Sequence, residues 1–415
     1  MKKIIYGIVI VILVALLLAS CSGGHGVVSD DASDTSVYES ELPSERPSPS
    51  GDTSGVIDLP WEIPEDIENP SQGLELAESY SKEFGDCYVV TGIGTCTDED
   101  LVIPSTVNGI PVTEIANNAF YRNNKIKSVY CGNRVTVIGF QAFENCSNLK
   151  KVIIPDSVEK ICEEAFCWCG LTEVQIGDRV KEMGRAAFQL NDRLKSVKLP
   201  YCLTVIPEDA FNGCTSLSEI EFSPNTVKIE KLAFDRAGLK NVKLPASLQT
   251  IQPNSFTCPS IISFEVDEEN PYLCSADGVL FSKDMAELIM APAGRKTDYS
   301  IPDGVKIIDT FAFMDFKYEV SLPESVRTIS EAAFYAPYQG NITINIKKGL
   351  SFIDSFAFST PNGSVTINFE GTKEEWNSIR KSDDWYLPDN GVGNQTTTIK
   401  CSDGQLTFNF DWLQQ

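Results

Sequence analysis

The sequence predicts a repeat solenoid in which coils of about 23 residues stack around one continuous core. An apolar Ala-Phe pair, with Ser-Phe in one coil, recurs along most of the chain, and its phenylalanine occupies positions 120, 143, 166, 188, 211, 234, 256, 313, 334 and 358. An Ile, or a Met in one coil, stands five residues before each phenylalanine. A fixed period of roughly 20 to 50 residues is typical of solenoids, because each coil buries its apolar side chains only against its neighbours.

Each coil is expected to contain a short β-strand followed by a short helical turn. The strand is a triplet with apolar residues at its two ends, as in Val152–Ile154 or Val197–Leu199, and a proline often follows it. Side chains alternate along a strand, so the two apolar residues face the core and the middle residue faces outward. The Ile-x-x-x-Ala-Phe segment would then form one turn of helix whose Phe fills the interior.

The middle positions of these strands predict a ladder of opposite charges. Read coil by coil, four consecutive positions are Lys198, Glu221, Lys243 and Glu265. In a parallel, in-register stack their Cα atoms would be ~5 Å apart. We interpret the ladder first as a control of register, because charges that pair with each other offer little to a partner.

The N-terminal 72 residues differ from the repeats in composition. Residues 1–20 combine Lys2 and Lys3 with an apolar run, which has the length of a signal-peptide core and is short for a membrane span. Residues 21–72 hold 12 acidic residues and one basic residue and are rich in Ser and Pro. Such a composition buries too little apolar surface to fold, so we interpret this segment as a disordered tether.

The tetrapeptide Leu-Ala-Ser-Cys that ends at Cys21 resembles the lipobox of bacterial lipoproteins. That resemblance implies cleavage before Cys21 and lipidation of its sulfur. Two or three acyl chains would hold the protein firmly at the extracellular face of a bacterial membrane, exposed at the cell surface. An ordinary signal peptide or signal anchor with an incidental cysteine is the alternative.

The repeats and three flanking motifs resemble the BspA-like leucine-rich repeat family of bacterial and protist surface proteins. The flanking motifs are YVVTGIGTCTDEDLVIPSTVNGIPVTEI before the repeats, DGVLFSKDMAELIMAP within them and FEGTKEEWNSI after them. The last motif also contains Thr372-x-x-Glu375, which is a capping-box signature for a helix that carries Trp376.

The resemblance implies a domain organisation and a function. A capping segment would occupy residues 73–114, the leucine-rich repeats residues 115–366 with a hairpin insertion at about 267–294, and a closing unit residues 367–415. The family implies adhesion through a macromolecular ligand, protein or glycan. The alternative is a structural spacer in the cell envelope.

The composition excludes several kinds of catalytic and metal site from the repeats. The one histidine, His25, lies in the tether, so the repeats cannot build a His-dependent catalytic triad or a His-liganded zinc site. The net charge of −24 argues against a nucleic-acid partner. We therefore predict no enzymatic activity and no cofactor; a surface hydrolase is a third hypothesis, because glycoside hydrolysis needs only two carboxylates.

The 13 cysteines and one acidic cluster leave alternatives open. Cys146, Cys169 and Cys214 share a repeat position three residues after Phe, which favours core packing over a metal or redox site at Cys167-Trp168-Cys169. The sequence does not decide between thiols and disulfides. The acidic run that begins at Asp267 lacks the order of a calcium loop, which favours a solvated turn.

Aromatic residues in the C-terminal third suggest a binding surface, because exposed aromatics often mark recognition sites. Two stand at a repeat position that is usually polar or small, and four lie in nearby loops. The six candidates are Phe311, Phe316, Tyr318, Tyr335, Tyr338 and Phe356. The alternative is that these rings pack beneath irregular coils.

Overall fold

A computed structural model describes residues 70–337, 341–361, 363–388 and 394–411. The chain divides into a unit of residues 1–43 and a unit of residues 44–415, and every described residue belongs to the second unit. Cys21 and nearly all of the predicted tether lie outside the described residues, as does Tyr338. Within the described ranges, no helix is long and apolar enough to cross a membrane.

Short β-strands dominate the described ranges, with one helix, α1 (Lys373–Ser378), near the C-terminal end. In chain order the strands are β1 (Glu75–Ser81), β2 (Gly85–Gly92), β3 (Asp100–Val102), β4 (Thr106–Val107), β5 (Ile110–Ile115), β6 (Ser128–Tyr130), β7 (Val137–Ile138), β8 (Lys151–Ile154), β9 (Lys160–Ile161), β10 (Glu173–Ile176), β11 (Glu182–Met183), β12 (Ser196–Lys198), β13 (Val205–Ile206), β14 (Glu219–Glu221), β15 (Lys228–Ile229), β16 (Asn241–Leu244), β17 (Thr250–Ile251), β18 (Ser263–Val266), β19 (Leu273–Ala276), β20 (Val279–Ser282), β21 (Glu287–Met290), β22 (Tyr299–Ser300), β23 (Ile307–Ile308), β24 (Val320–Leu322), β25 (Thr328–Ile329), β26 (Asn341–Ile346), β27 (Phe352–Ile353), β28 (Ser364–Phe369), β29 (Arg380–Lys381), β30 (Asn394–Cys401) and β31 (Gly404–Asp411).

The predicted solenoid is confirmed, and each regular coil contributes one strand to each of two faces. The triplets with apolar ends form the long-strand face, where β8 pairs in parallel with β6 and β10 in register. The residues that end at the repeat Ile form the short-strand face, where β9 pairs with β7 and β11. The same two faces continue beyond the hairpin insertion, through β24, β26 and β28 on one side and β23, β25 and β27 on the other.

The predicted helical turn around each Ala-Phe pair is wrong. In the coil of Phe143, the N–H groups of Gln141, Phe143 and Asn145 donate to carbonyl oxygens of the next coil, at 3.1, 2.8 and 2.8 Å. Gln141 and Asn145 adopt left-handed backbone, with φ of 53° and 59°. A helix would use these N–H groups within its own turn, whereas this non-helical turn directs every second N–H along the stack. The Ala-Phe segments therefore add a third ladder of hydrogen bonds between coils.

The repeat phenylalanines are buried and stack on one another, as the period predicted. Within each run, adjacent rings lie nearly parallel, with centroids 4.9 to 5.6 Å apart. The run ends at Phe256 and resumes at Phe313, and the apolar core divides at the same place into two clusters. Each cluster thus has its own column of stacked rings.

The insertion between the two clusters is an antiparallel arrangement of β19, β20 and β21. Its last strand, β21, pairs in parallel with β23 and so returns the chain to the short-strand face. Near the insertion, Asn270 is buried and donates through Nδ2 to two backbone carbonyls, and Asp277 pairs with Arg295 at 2.6 Å. Protein groups therefore already engage Asn270, which ends the acidic run, and Asp277, which follows it.

At the C-terminal end, α1 begins with the predicted capping box. The Thr372 hydroxyl accepts from the Glu375 N–H, and the Glu375 carboxylate accepts from the Thr372 N–H. The helix buries Trp376, whose ring meets Phe369 edge-on at 5.3 Å. The capped helix thus packs an indole against the second core cluster.

Candidate binding site

The five aromatic candidates that the structure describes do not form one exposed surface. Phe316 is only 3% exposed and packs edge-on against Phe313 at 5.4 Å. Tyr318, at 36% exposure, lies 6.4 Å from the Phe316 ring. Phe311 and Tyr335 are half-buried and meet edge to face at 5.8 Å. Packing within the irregular coils therefore uses Phe316 and partly covers the Phe311–Tyr335 pair.

Phe356 is also half-buried, on left-handed backbone with φ of 54°. It occupies the same repeat position as Phe311, whose φ is 57°. Within the described residues, two pairs of candidates are in contact, Phe311 with Tyr335 and Phe316 with Tyr318. Tyr318 is the one described candidate that is exposed.

Two of the three neighbouring pairs in the predicted charge ladder lie on paired strands, and the third pair, Glu221 and Lys243, does not. Lys198 lies opposite Glu221 in the pairing of β12 with β14, with the charged groups 3.7 Å apart. Lys243 lies opposite Glu265 in the pairing of β16 with β18. The middle rung is missing because β14 and β16 do not pair.

The long-strand face opens between β14 and β16. Their Cα atoms lie mostly more than 8 Å apart, well beyond the ~4.8 Å spacing of paired strands. The same two coils stay joined elsewhere, since β15 pairs with β17 and the Phe234 N–H donates to the Ser255 carbonyl at 2.8 Å. The two coils therefore separate like a wedge, on one face only.

The opening creates a groove of about 870 Å³, here called the wedge groove. Its floor includes Ile220 and Phe222, and its rim includes Glu219, Glu221 and Lys243. Both floor residues are half-buried, whereas the equivalent triplet residues of the two adjacent coils are buried. The wedge groove thus exposes apolar side chains that the repeat elsewhere conceals.

Sequence departures from the repeat coincide with the opening. Phe222 stands where the adjacent coils have Leu, and its ring meets Phe234 edge-on at 5.8 Å. Ser223 replaces the proline that ends the neighbouring strands, and its hydroxyl donates to the Tyr201 carbonyl at 2.8 Å. Thr226 replaces a core leucine and is fully buried. We attribute the opening to the volume of Phe222, because a close-packed interior cannot absorb a larger ring without displacement.

A second interruption of the long-strand face lacks these features. The strands β10 and β12 also do not pair, yet the inward residues of both strands stay buried. Broken hydrogen bonds alone therefore do not open the core, and the wedge groove is distinguished by its exposed floor.

The cysteines of the repeat position belong to the core. The thiols of Cys146, Cys169 and Cys214 donate to the carbonyl of the Phe one coil earlier, at 3.1, 3.1 and 3.3 Å. Cys258, which stands two residues after its Phe, makes the equivalent bond at 2.8 Å. Asn191 replaces cysteine in this position and makes the same bond through Nδ2, at 2.9 Å. Burial raises the pKa of the Cys214 thiol to about 12.

These contacts favour the packing interpretation of Cys167-Trp168-Cys169. The twelve cysteines of the described ranges are thiols, and Cys167 and Cys169 are both buried. No group of His, Cys, Asp and Glu in these ranges is arranged to hold a metal ion. At Cys146, Cys169, Asn191 and Cys214 the repeat position thus holds a side chain that donates one hydrogen bond to the preceding coil.

A sequence profile described as "BspA type Leucine rich repeat region (6 copies)" matches residues 113–204, 181–276 and 295–382. A search of curated proteins found no match. Among solved structures, a leucine rich cell surface protein from Faecalibacterium prausnitzii A2-165 is 25% identical, with a TM-score of 0.58, over 74% of this chain and 96% of that one. The pneumococcal vaccine antigen PcpA is 20% identical, with a TM-score of 0.50, over 77% of this chain and 98% of that one, and this likeness concerns the fold alone.

Proposed function

This chain belongs to the BspA type leucine rich repeat family, and we propose that it is a lipid-anchored protein of the bacterial cell surface that binds a macromolecular ligand. The observation that carries the proposal is the wedge groove, where two strand edges and an apolar floor lie open on the long-strand face. Regular stacking would conceal these groups, so their exposure is a feature of this coil in particular.

The chemistry of the wedge groove favours an extended polypeptide segment. Because β14 and β16 do not pair with each other, each presents a strand edge to the groove. An added strand can bond to such an edge through its main chain and place alternate side chains in pockets. Ile220 and Phe222 would receive apolar side chains, while Glu221 and Lys243 would meet polar or charged ones.

Two further observations support a surface location. The N-terminal sequence resembles a lipoprotein signal that ends at Cys21, and the acidic segment that follows would carry the repeats away from the bilayer. The similar Faecalibacterium protein is described as a cell surface protein. Binding without catalysis agrees with membership of a leucine-rich repeat family, whose solenoids present extended surfaces to partners.

Binding assays with the full-length protein test the proposal. We expect saturable binding to at least one member of a panel of host matrix proteins and mucins. Ile220→Lys, which places a charge on the groove floor, should weaken that binding roughly tenfold or more, equivalent to ~1.4 kcal/mol. Glu173→Lys, an exposed change on β10 of the same face, is the matched control.

The outcomes separate the competing functions. Equal binding by Ile220→Lys and the parent protein would exclude the wedge groove as the site. If no member of the panel binds, the spacer function is favoured, and turnover of a bound glycan would favour a hydrolase. The lipid anchor has its own test. Cys21→Ala should release the protein from membranes or leave an unprocessed precursor. A mature N-terminus that mass spectrometry shows to carry no lipid on Cys21 would contradict the anchor.

A further inference from the structure

An exposed tryptophan stands in a column of residues on the turn side of the solenoid. The column consists of the residues two positions after successive repeat phenylalanines, namely Arg122, Asn145, Trp168, Leu190, Gly213 and Arg236. All six have left-handed backbone, with φ between 55° and 75°. The Trp168 N–H donates to the Gln189 carbonyl at 2.8 Å, which is the inter-coil bond of this position. A hydrogen bond to the next coil thus fixes the backbone of Trp168.

Trp168 is not explained by the stability of the coil. Its side chain is 44% exposed, although burial of a large apolar side chain is favourable. Left-handed backbone is rare for bulky residues and costs about 1 kcal/mol or more. Asn145 and Gly213 show that the column accepts residues better suited to this conformation.

Beside Trp168 lies a groove of about 480 Å³, here called the tryptophan groove. The Leu190 side chain packs over Gly213, and both residues line the groove together with Arg236. A Cβ atom at Gly213 would lie only 2.6 Å from Leu190 Cδ2, so any larger residue would displace the leucine. The volume is within the ~300–1,000 Å³ range of small-molecule sites.

Polar groups of both signs surround the aromatic wall. Asp192 and Arg193 are well exposed, and their charged groups are 3.9 Å apart. The guanidinium of Arg236 is oriented by Asp235, which accepts from Nε at 3.1 Å, and by Asn212, which accepts from Nη2 at 3.2 Å. The tryptophan groove therefore combines a flat apolar wall with carboxylate acceptors and an oriented donor.

We propose that the tryptophan groove binds carbohydrate, with one sugar ring stacked on Trp168 and hydroxyl groups bonded to Asp192 and Arg236. A pyranose has an apolar C–H face and a rim of hydroxyls that both donate and accept, which matches an indole face beside a carboxylate and a guanidinium. Nearby charges are balanced, so a neutral saccharide fits better than a polyanion. An apolar peptide would leave the polar rim without hydrogen bonds.

The tryptophan groove adds a ligand class to the proposed function and depends on different residues from the wedge groove. Fluorescence of the full-length protein, which has five tryptophans, tests it, because Trp168 is the exposed one among those in the described ranges. The Trp168→Phe variant, which keeps the other four including Trp61 and Trp412, gives the background signal. The probes are cellotriose, maltotriose and tri-N-acetylchitotriose, with sialyllactose as the acidic comparison. We expect a saturable blue shift with at least one neutral trisaccharide.

Variants assign the shift to Trp168. Trp168→Ala should weaken saccharide binding at least tenfold by calorimetry, and Trp168→Phe should retain part of the affinity. Tyr121→Ala, which removes an exposed ring elsewhere in the turns, should leave binding unchanged. Ile220→Lys should also leave it unchanged, so failure of the wedge groove and failure of the tryptophan groove are distinguishable.

Three results would overturn the proposal. They are no response to any neutral probe, binding that survives Trp168→Ala, and binding of sialyllactose alone. Thermal denaturation of Trp168→Ala checks the fold, and the exposed position predicts little change in melting temperature.

Discussion

The coil that contains β14 and the coil that contains β16 are joined on two sides and separated on the third. Their short strands pair in register, and their turn segments bond at 2.8 Å, yet the long strands have moved apart. The coil of β14 differs from both adjacent coils at Phe222, Ser223 and Thr226, where they have Leu, Pro and Leu. The comparison teaches that a solenoid coil is held by separate ladders, and that one ladder can open while the others hold.

The largest expected difference is in the free energy of unfolding, between a change in a closed coil and a change beside the wedge groove. Phe211 is fully buried between two stacked rings at 5.6 Å, whereas Phe222 is half-buried beside the wedge groove. Phe211→Ala should lower the free energy of unfolding by roughly 3–5 kcal/mol, and Phe222→Ala by clearly less. Denaturant unfolding of both variants measures this, and equal losses would mean that the wedge coil is packed as tightly as its neighbours.

Thiol labelling tests whether the opening is confined to the long-strand face. Cys214 and Cys258 lie on the turn side of the coils around the wedge groove, and burial raises the pKa of the Cys214 thiol to about 12. At pH 8 both should react with iodoacetamide at least 100-fold more slowly in the folded than in the unfolded protein. Rapid labelling of either, followed by peptide mass spectrometry, would show that the turn side opens too.

The same shift makes stability depend on pH. Burial raises the pKa of the Cys214 thiol above its ordinary value of 9.0, so the folded protein retains a proton that the unfolded chain loses. The thiol's contribution is fully present below pH 9 and should be lost as pH rises toward about 12. Cys214→Ala should show a smaller loss of stability over this window in denaturant unfolding.

Closing the wedge groove should have an intermediate effect. Phe222→Leu restores the side chain found in the adjacent coils, so β14 and β16 should approach and pair. Hydrogen exchange of the amides of β14 and β16 should slow by roughly tenfold, about 1.4 kcal/mol of added protection. Unchanged exchange would show that Phe222 is not the cause of the opening, and Leu199→Met in the closed neighbouring coil provides the volume-conserving control.

The smallest expected effect is the coupling energy between Lys198 and Glu221. Lys198 and Glu221 are 3.7 Å apart and partly exposed, so their coupling should be ~0.2–1 kcal/mol. A double-mutant cycle with alanine at both positions measures the coupling. The cycle for Glu221 and Lys243, which lie on opposite sides of the wedge groove, should give a weaker coupling, and an equal coupling there would mean that the face is closed in solution.

Several features were predictable because they repeat. The burial of Phe211 and its equivalents follows from their spacing, and the opposition of Lys198 and Glu221 follows from their common place in the triplet. The capping box at Thr372 follows from a short local motif. Each prediction required only that the coils stack in register.

Other features depend on contacts between coils and were predicted wrongly, left open or not predicted at all. The turn at Gln141 is not helical because its N–H bonds to the next coil, which local sequence does not specify. The sequence left Phe316 either at a binding surface or beneath irregular coils, and the structure packs it against Phe313. The exposure of Trp168 was not predicted either, although its place two residues after a repeat Phe was a signal, since that position faces away from the core.

The sequence by itself determined the repeat, its register and the identity of the core side chains, because a periodic pattern imposes the same environment on equivalent residues. Only the tertiary structure decided where two coils part and which rings remain exposed. The opening depends on the volume of Phe222 against its neighbour Phe234, and packing of this kind is a property of pairs of coils.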